Sequence, residues 1–277
     1  MEAVPLLVET DPDEPDFASV MIDATVVGRR YRLMLDTGAA RTHLDADEYI
    51  KSLPVVGEHA SAGSFGRLVT YPVVRIPCLT AGALDVGALD VTTSEHQAGP
   101  GGVLGMDVLG RRRCHFRVDF GVLELDALPE RPLDHQLLTG SRGHVYVDVS
   151  WPGVTARACW DTGAGATLVS EAFWHAYPQL FSRVGTVNGT DASGDHMETP
   201  QLLMAGPVIG AQPFAKHKVV AVNLSGMNDT SDRPADLVLG YPTIRQADWL
   251  FDFPARRWTI TRMTSKSVAG RQSAAVS

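Results

Sequence analysis

The chain has 277 residues, of which 44% are hydrophobic and 20% charged, and its formal net charge is -8. This length allows one large or two ordinary domains with a real hydrophobic core. The composition is typical of a globular protein, and the negative charge disfavours nucleic acid or an anionic membrane as a partner. No apolar run approaches the ~20 residues of a membrane-spanning helix, and the acidic first residues do not resemble a secretory signal or a transit peptide.

The chain contains three cysteines at irregular spacing. Cys78, Cys114 and Cys159 lie far apart in the sequence. An odd number at such spacing is typical of reduced thiols rather than of a disulfide framework. The sequence therefore predicts free cysteines and a cytoplasmic protein.

Taken in chain order, the secondary-structure signals are mostly those of strands. Short runs rich in Val, Leu, Ile and Thr are separated by frequent Gly and Pro, which predicts an all-β fold with few short helices. These runs are SVMIDATVV (19–27), YRLMLD (31–36), YPVVRIPCL (71–79), VYVDVS (145–150) and KVVAVN (218–223). Two helices are predicted, over 45–53 and 170–181. The first begins at Asp45 and has Glu48 three residues later, the pattern of a capping box.

The sequence repeats itself once. LDTGAARTHL (35–44) matches WDTGAGATLV (160–169), with the two aspartates 125 positions apart. Four further matches follow the same order along the chain and predict an internal duplication. They are VMIDATVVG (20–28) with VYVDVSWPG (145–153), SFGRLVTYP (64–72) with ASGDHMETP (192–200), GVLGMDVL (102–109) with LVLGYPTI (237–244), and FRVDF (116–120) with WLFDF (249–253).

The duplication predicts the domain boundaries. Residues 17–125 form a first lobe and 144–262 a second lobe. The segment 126–143 is rich in Pro, Gly and charge, so it is interpreted as a linker. Residues 1–16 and 263–277 are interpreted as loosely ordered tails.

The repeated Asp-Thr-Gly has a chemical meaning when both copies are considered together. One copy alone is typical of a strand that runs into a turn. Two copies related by a pseudo-twofold axis place Asp36 and Asp161 face to face, where carboxylates ~3 Å apart share one proton. Such a pair is an acid and a base at once, and it can activate a water against an amide carbonyl without a metal.

The neighbouring residues fit the same arrangement. Gly38 and Gly163 allow close backbone approach, and their amides can donate to the carboxylates. Thr37 and Thr162 are expected to hydrogen-bond across the axis and to fix the two loops. The sequence thus predicts Asp36 and Asp161 as catalytic residues, with these four residues as support.

The paired Asp-Thr-Gly-Ala motifs, each followed downstream by an apolar-apolar-Gly element (103–105 and 238–240), resemble those of the aspartic proteases, in particular of the retropepsin-like branch. The resemblance covers about residues 17–262. It implies a two-lobed acid-protease fold, an extended peptide or protein as substrate, and no cofactor or metal. Because both halves lie in one chain, it also implies an active monomer.

The resemblance further implies a hairpin flap that closes over the substrate. A glycine-tipped hairpin is expected around 61–72, with Gly63 and Gly66 near its tip. A second is expected at 189–200, with Gly194. Tyr71 is the nearest candidate for the flap tyrosine of pepsins, and it is interpreted instead as a strand residue.

One departure from pepsins has a predicted consequence. Pepsins have Ser or Thr after each Asp-Thr-Gly, whereas this chain has Ala39 and Ala164. A hydroxyl there would donate to the carboxylate and favour its charged form. Without it, we expect a pH optimum less acidic than that of a pepsin.

Three alternatives remain at this stage. A metal site is disfavoured, because the adjacent Cys114 and His115 would point to opposite faces of a strand and no paired metal motif is present. A non-catalytic relative that binds peptides or a partner protein remains the main alternative from another functional class. The third is that both motifs are merely structural turns.

Overall fold

In the computed structural model, the described residues are 2–62, 68–94, 101–190 and 196–264. The structure is 53% strand and 12% helix, which confirms the predicted mostly-β class with few short helices. Among the described residues no helix is long and apolar enough to cross a membrane. Cys78, Cys114 and Cys159 are free thiols, as their number and spacing predicted.

Each half of the chain forms one ten-stranded sheet, and the two sheets have the same strand order. The first contains, in spatial order, Val55–Ala62, Leu68–Ile76, Leu89–Ser94, His43–Asp45, Gly102–Leu104, Arg29–Leu35, Ala18–Val26, Leu79–Ala81 and Leu84–Val86, with Leu7–Thr10 paired to Ala18–Val26. The second contains Phe181–Thr190, His196–Met204, His217–Val222, Leu168–Ser170, Leu237–Leu239, Val154–Trp160, Val145–Trp151, Val208–Ile209 and Gln212–Pro213, with Leu138–Thr139 paired to Val145–Trp151. The element-by-element match is what the predicted duplication requires.

A six-stranded sheet joins the two halves. Its order is Glu2–Pro5, Val122–Leu125, Arg113–Arg117, Ala247–Asp252, Arg257–Met263 and His135–Gln136, so each half supplies three neighbouring strands. One face packs into the core against the strand that leads to the second aspartate: Trp160 lies 4.8 Å from Phe116 and 4.6 Å from Phe251, measured between ring centroids. All three side chains are fully buried. Aromatic burial on this scale fixes the strand that leads to Asp161 to the joining sheet.

The hairpins that lead to the two aspartates show why these residues form strands. Arg29–Leu35 has the burial alternation of a strand with one face in the core. A two-residue turn precedes it, in which Val27 and Gly28 both have positive φ (47° and 78°), the pattern of a type I′ hairpin. The second half makes the same connection through Pro152 and Gly153, where Gly153 alone has positive φ (75°).

The helices are short. They are Glu48–Ser52, Met106–Leu109, Glu171–Ala176, Ser225–Asp229 and Tyr241–Ile244, with 3₁₀ turns at Val118–Phe120 and Pro178–Leu180. Both predicted helices are present within their predicted spans. The predicted cap is wrong, however: the first helix is capped by Asp47, whose carboxylate accepts from Ile50 N, because Asp45 still belongs to the preceding strand.

The structure corrects the predicted tail and linker. Glu2–Pro5 pairs with Val122–Leu125, and Leu7–Thr10 pairs with Ala18–Val26, so most of the segment predicted as a loosely ordered tail forms two strands. Within the supposed linker 126–143, His135–Gln136 and Leu138–Thr139 make the equivalent pairings in the second half. These strands are too short to show a period, and only their distant partners stabilise them. At the other end, the last strand continues to Met263, and residues 265–277 lie outside the described part of the chain.

Candidate active site

The two predicted catalytic aspartates lie at equivalent points of the two halves. Asp36 follows the strand Arg29–Leu35, and Asp161 follows Val154–Trp160. Each strand is paired in parallel with a second strand, Gly102–Leu104 or Leu237–Leu239. The last carbonyl of that second strand accepts the aspartate's own N–H, at 3.0 Å in both halves. The same backbone hydrogen bond therefore ends both strands and sets the direction of both aspartate loops.

The threonines lock the two loops together across the junction between the halves. Thr37 N donates to Thr162 Oγ1, and Thr162 N donates to Thr37 Oγ1, both at 3.1 Å. The Thr37 hydroxyl donates in turn to the carbonyl of Trp160 at 2.9 Å. Both threonines are buried, so these bonds are shielded from water. The hydrogen bonds predicted for these residues across the axis are confirmed.

The carboxylates of Asp36 and Asp161 share one donor. The Gly38 amide lies 2.7 Å from Asp36 Oδ1 and 3.1 Å from Asp161 Oδ1, so one N–H contacts both groups. The Gly163 amide donates to Asp161 Oδ1 at 2.8 Å. Ala39 N adds a further bond to Asp36 Oδ1 at 2.9 Å. Each carboxylate thus accepts two amides, but those of Asp36 both come from its own loop, whereas Asp161 accepts one from each loop.

The glycines of the motifs are required by space. A Cβ at Gly38 would lie 2.5 Å from Asp161 Oδ2, and a Cβ at Gly163 would lie 2.4 Å from Asp36 Cγ. Both distances are below any ordinary nonbonded contact, so only glycine allows the opposite carboxylate to approach. This agrees with the role predicted for the two glycines.

The electrostatics of the pair favour retention of one proton. Burial raises the pKa of Asp36 well above its ordinary value, and the charge of Asp161 and a hydrogen bond between the two side chains act in the same direction. The amides of Gly38 and Ala39 oppose this shift only in part. The pair therefore holds a proton to higher pH than an isolated aspartate would.

A second glycine supports each loop from behind. A Cβ at Gly105 would lie 2.6 Å from the carbonyl carbon of Arg41, and one at Gly240 would lie 2.2 Å from the Ala166 carbonyl oxygen. Met106 N donates to the Ala39 carbonyl at 2.8 Å, and the second half has the matching bond. The downstream apolar-apolar-Gly element thus lies against the aspartate loop.

Two residues that support these loops were not singled out from the sequence. Thr42 and Thr167 are fully buried, and their hydroxyls accept the amides of Gly105 and Gly240, each at 3.2 Å. Both threonines occupy the same place in the repeat. Their recurrence at an equal distance after each aspartate was the available signal.

His144 is the other residue that the sequence did not indicate. The backbone of Gly38 and the charge of Asp161 both act to raise its pKa. Burial nevertheless lowers its pKa, which favours the neutral ring. The equivalent position in the first half is Ser19, so the two sides of the aspartate pair differ in chemistry.

The expected flap is only partly described. The arms of the first hairpin, Val55–Ala62 and Leu68–Ile76, pair antiparallel, and Tyr71 is a strand residue paired with His59. The arms of the second, Phe181–Thr190 and His196–Met204, pair in the same way. The predicted tip residues Gly63, Gly66 and Gly194 lie outside the described residues.

The predicted disposition of Cys114 and His115 is confirmed. Cys114 is fully buried, whereas His115 lies on the other face of the strand, where its ring bonds to Glu124 and Thr261 at 3.0 and 2.8 Å. Over the described ranges, no group of three or more His, Cys, Asp or Glu side chains is arranged to hold a metal ion.

No protein-family model matches the chain, and the comparison with curated proteins finds no similar one.

Proposed function

We propose that this chain is an aspartic endopeptidase that hydrolyses peptide bonds with a water activated between Asp36 and Asp161. The observation that carries the proposal is the single amide of Gly38 in contact with both carboxylates. Carboxylates this close share one proton, and a shared proton is what metal-free hydrolysis of an amide requires.

The unequal environments of the two carboxylates suggest their roles. We assign the single proton of the pair to Asp36, whose pKa burial raises, and the role of base to Asp161. Asp161 accepts a proton from the water as its oxygen attacks the carbonyl carbon, while Asp36 donates its proton to the carbonyl oxygen. No covalent bond to the protein forms.

Collapse of the tetrahedral diol restores the pair. Asp161 gives its new proton to the amide nitrogen as the C–N bond breaks. Asp36 takes the proton of a diol hydroxyl as the carbonyl of the new carboxyl group forms. The products are a carboxylic acid and an amine, and each aspartate regains its starting protonation state.

Two features support the acid-protease fold and a monomeric enzyme. The ten-stranded sheets share one strand order, and a six-stranded sheet joins them. Each half supplies one aspartate, so a single chain completes the pair. The substrate would be an extended peptide or protein segment, and the chemistry needs no cofactor.

The test is cleavage of a proteome-derived peptide library by the wild type, Asp36→Asn and Asp161→Asn, with and without pepstatin. Cleavage by the wild type that both substitutions abolish supports the proposal. An inert wild type that still binds peptides would favour the alternative, a non-catalytic binding protein of the same fold. Cleavage that survives either substitution would exclude this mechanism.

The pH profile is a second test. Activity needs one proton in the pair, so the raised pKa of Asp36 moves the alkaline limb of the profile towards neutral pH. Ala39→Ser should move the profile to lower pH, because its hydroxyl would stabilise the ionised carboxylate. An optimum near about pH 3 for the wild type would contradict this reasoning.

A further inference from the structure

The two halves allow a position-by-position comparison of the surroundings of the aspartate pair. In the hairpin strands, His59 pairs with Tyr71 and Val187 pairs with Thr199, and these two pairs occupy the same place in the matching sheets. His59 of the first half is therefore equivalent to Val187 of the second. The two positions therefore share their strand pairing but carry side chains of different chemistry.

The two aspartate loops also differ in having a basic residue in one half and an apolar residue in the other. Arg41 follows Asp36 by the same number of residues as Ala166 follows Asp161. In the segments before the equivalent strands, Arg142 corresponds to Phe17. At three pairs of equivalent positions, one member is thus basic (Arg41, His59 and Arg142) and the other is apolar (Ala166, Val187 and Phe17). The three basic residues are called the basic set, and the three apolar residues the apolar set.

The apolar set packs together. Phe17 is buried, and Ala166 and Val187 are half-buried members of the same hydrophobic cluster. The cluster also includes Ala164 of the second aspartate loop and Leu168 of the strand that follows it. The carbonyl of Gly165 accepts the amide of the residue after Phe17 at 3.3 Å, which fixes this segment against the loop. This set is called the apolar end below.

The basic set also converges. Arg41 and Arg142 are exposed and His59 is half-buried. Burial lowers the pKa of His59, and the charges of both arginines act in the same direction. A Cβ at Gly143, the neighbour of Arg142, would lie 3.7 Å from the Met106 Cβ, and Met106 N donates to the Ala39 carbonyl in the loop that carries Arg41. This set is called the basic end below.

The positive charge of the basic end is available to a ligand. In the part of the chain that the structure describes, neither Arg41 nor Arg142 makes an ion pair. Two acidic groups whose charge interacts with Arg41 have other partners. Asp90 is bonded twice to Arg75, at 2.7 and 2.9 Å. Asp107 accepts both the amide and the hydroxyl of Thr42.

We propose that the basic end, formed by Arg41, His59 and Arg142, selects an acidic side chain of the substrate, and that the apolar end, formed by Phe17, Ala166 and Val187, selects an apolar one. The inference rests on the proposed peptidase activity. An extended peptide has a direction, so an asymmetric site fixes which way it lies across the aspartate pair. Charge complementarity sets this orientation, and burial of the apolar side chain adds affinity.

The test begins with the cleavage sites found in the proteome-derived peptide library. One good substrate is resynthesised with Glu, Gln or Lys at each position from the third before to the third after the cleaved bond. The wild type should prefer Glu over Lys by about fivefold on one side only, a magnitude typical of exposed charge pairs. The preference should shrink in high salt, because salt screens exposed charges.

Variants assign the preference to the residues. Arg142→Glu and Arg41→Glu should each reverse it, while Val187→Arg should create an acidic preference on the other side. Arg30→Glu is the matched control, because Arg30 is an exposed residue at the far end of the strand that leads to Asp36. Thermal unfolding of every variant checks that the fold is kept.

The outcomes separate the two proposals. If the wild type cleaves nothing, the peptidase activity fails and this inference fails with it. If it cleaves but treats Glu and Lys alike at every position, only the inference is overturned. The inference is also overturned if Arg142→Glu and Arg41→Glu retain the wild-type preference. The control Arg30→Glu should retain it.

Discussion

Gly38→Ala tests the reasoning about the aspartate pair most directly. The added Cβ would lie 2.5 Å from Asp161 Oδ2, whereas ordinary contacts begin at 3.4 Å, so the carboxylate or the loop must move by about 0.9 Å. A displacement of about 1 Å in a catalytic constellation costs on the order of 100-fold in rate. Overpacking at a rigid site also costs about 1–3 kcal/mol of stability. Gly163→Ala should behave alike, because its Cβ would meet Asp36 at 2.4 Å.

The assay is kcat/KM on the best library peptide, measured beside the melting temperature. Gly87→Ala is the control, because nothing lies within 4 Å of its added Cβ and the residue is exposed. We expect the control to keep full activity with unchanged or slightly raised Tm. Activity of Gly38→Ala within about threefold of wild type would refute the claim that the opposite carboxylate must approach this closely.

Three further predictions concern the buried polar groups. Thr37→Val should cost about 1–3 kcal/mol, because the buried Thr162 amide loses its acceptor; Thr37→Ser keeps the hydroxyl, and urea unfolding should find it near wild type. Asp36→Asn should abolish cleavage yet raise Tm. The folded pKa of Asp36 is raised, so the wild type loses stability as pH increases through that pKa, and the gain in Tm should grow towards alkaline pH. Burial lowers the pKa of His217 from 6.5 to about 4. Its protonation should therefore remove up to about 3 kcal/mol of stability as the pH falls between these two values. His217→Gln should flatten the acid limb of the unfolding curve and the exposed His175→Gln should not; equal acid limbs would contradict this assignment.

The buried histidines bear on the working range of the protein. Burial lowers the pKa of both His43 and His217 to about 4. Protonation of such groups opposes folding, because the unfolded chain binds the protons more readily. Stability should therefore decline at the acidity where pepsins work best, which agrees with the expectation of a less acidic optimum.

The part of the structure that could be predicted from sequence is the part with a local signal. Short alternating runs with Gly and Pro between them indicated strands, because alternation along a strand is a property of neighbouring residues. The pair Asp36 and Asp161 was found because each lies in the same short motif. Duplication then implied a shared geometry, and the hydrogen bonds between Thr37 and Thr162 agree with it.

The errors of prediction fall where the signal is not local. Glu2–Pro5 and His135–Gln136 were assigned to a tail and a linker, because two to four residues carry no period. They become strands only when Val122–Leu125 and Arg257–Met263, distant in sequence, supply the partners for their backbone groups.

By itself, the sequence determined the mostly-β class, the internal duplication and the equivalence of Asp36 and Asp161 in the two halves. Each of these follows from the order of residues along the chain. Only the tertiary structure decided the joining sheet, the different amide donors of Asp36 and Asp161, and the grouping of Arg41, His59 and Arg142. Strand pairing, burial and electrostatic fields act through space between residues far apart in sequence. No local pattern in the sequence encodes these three features.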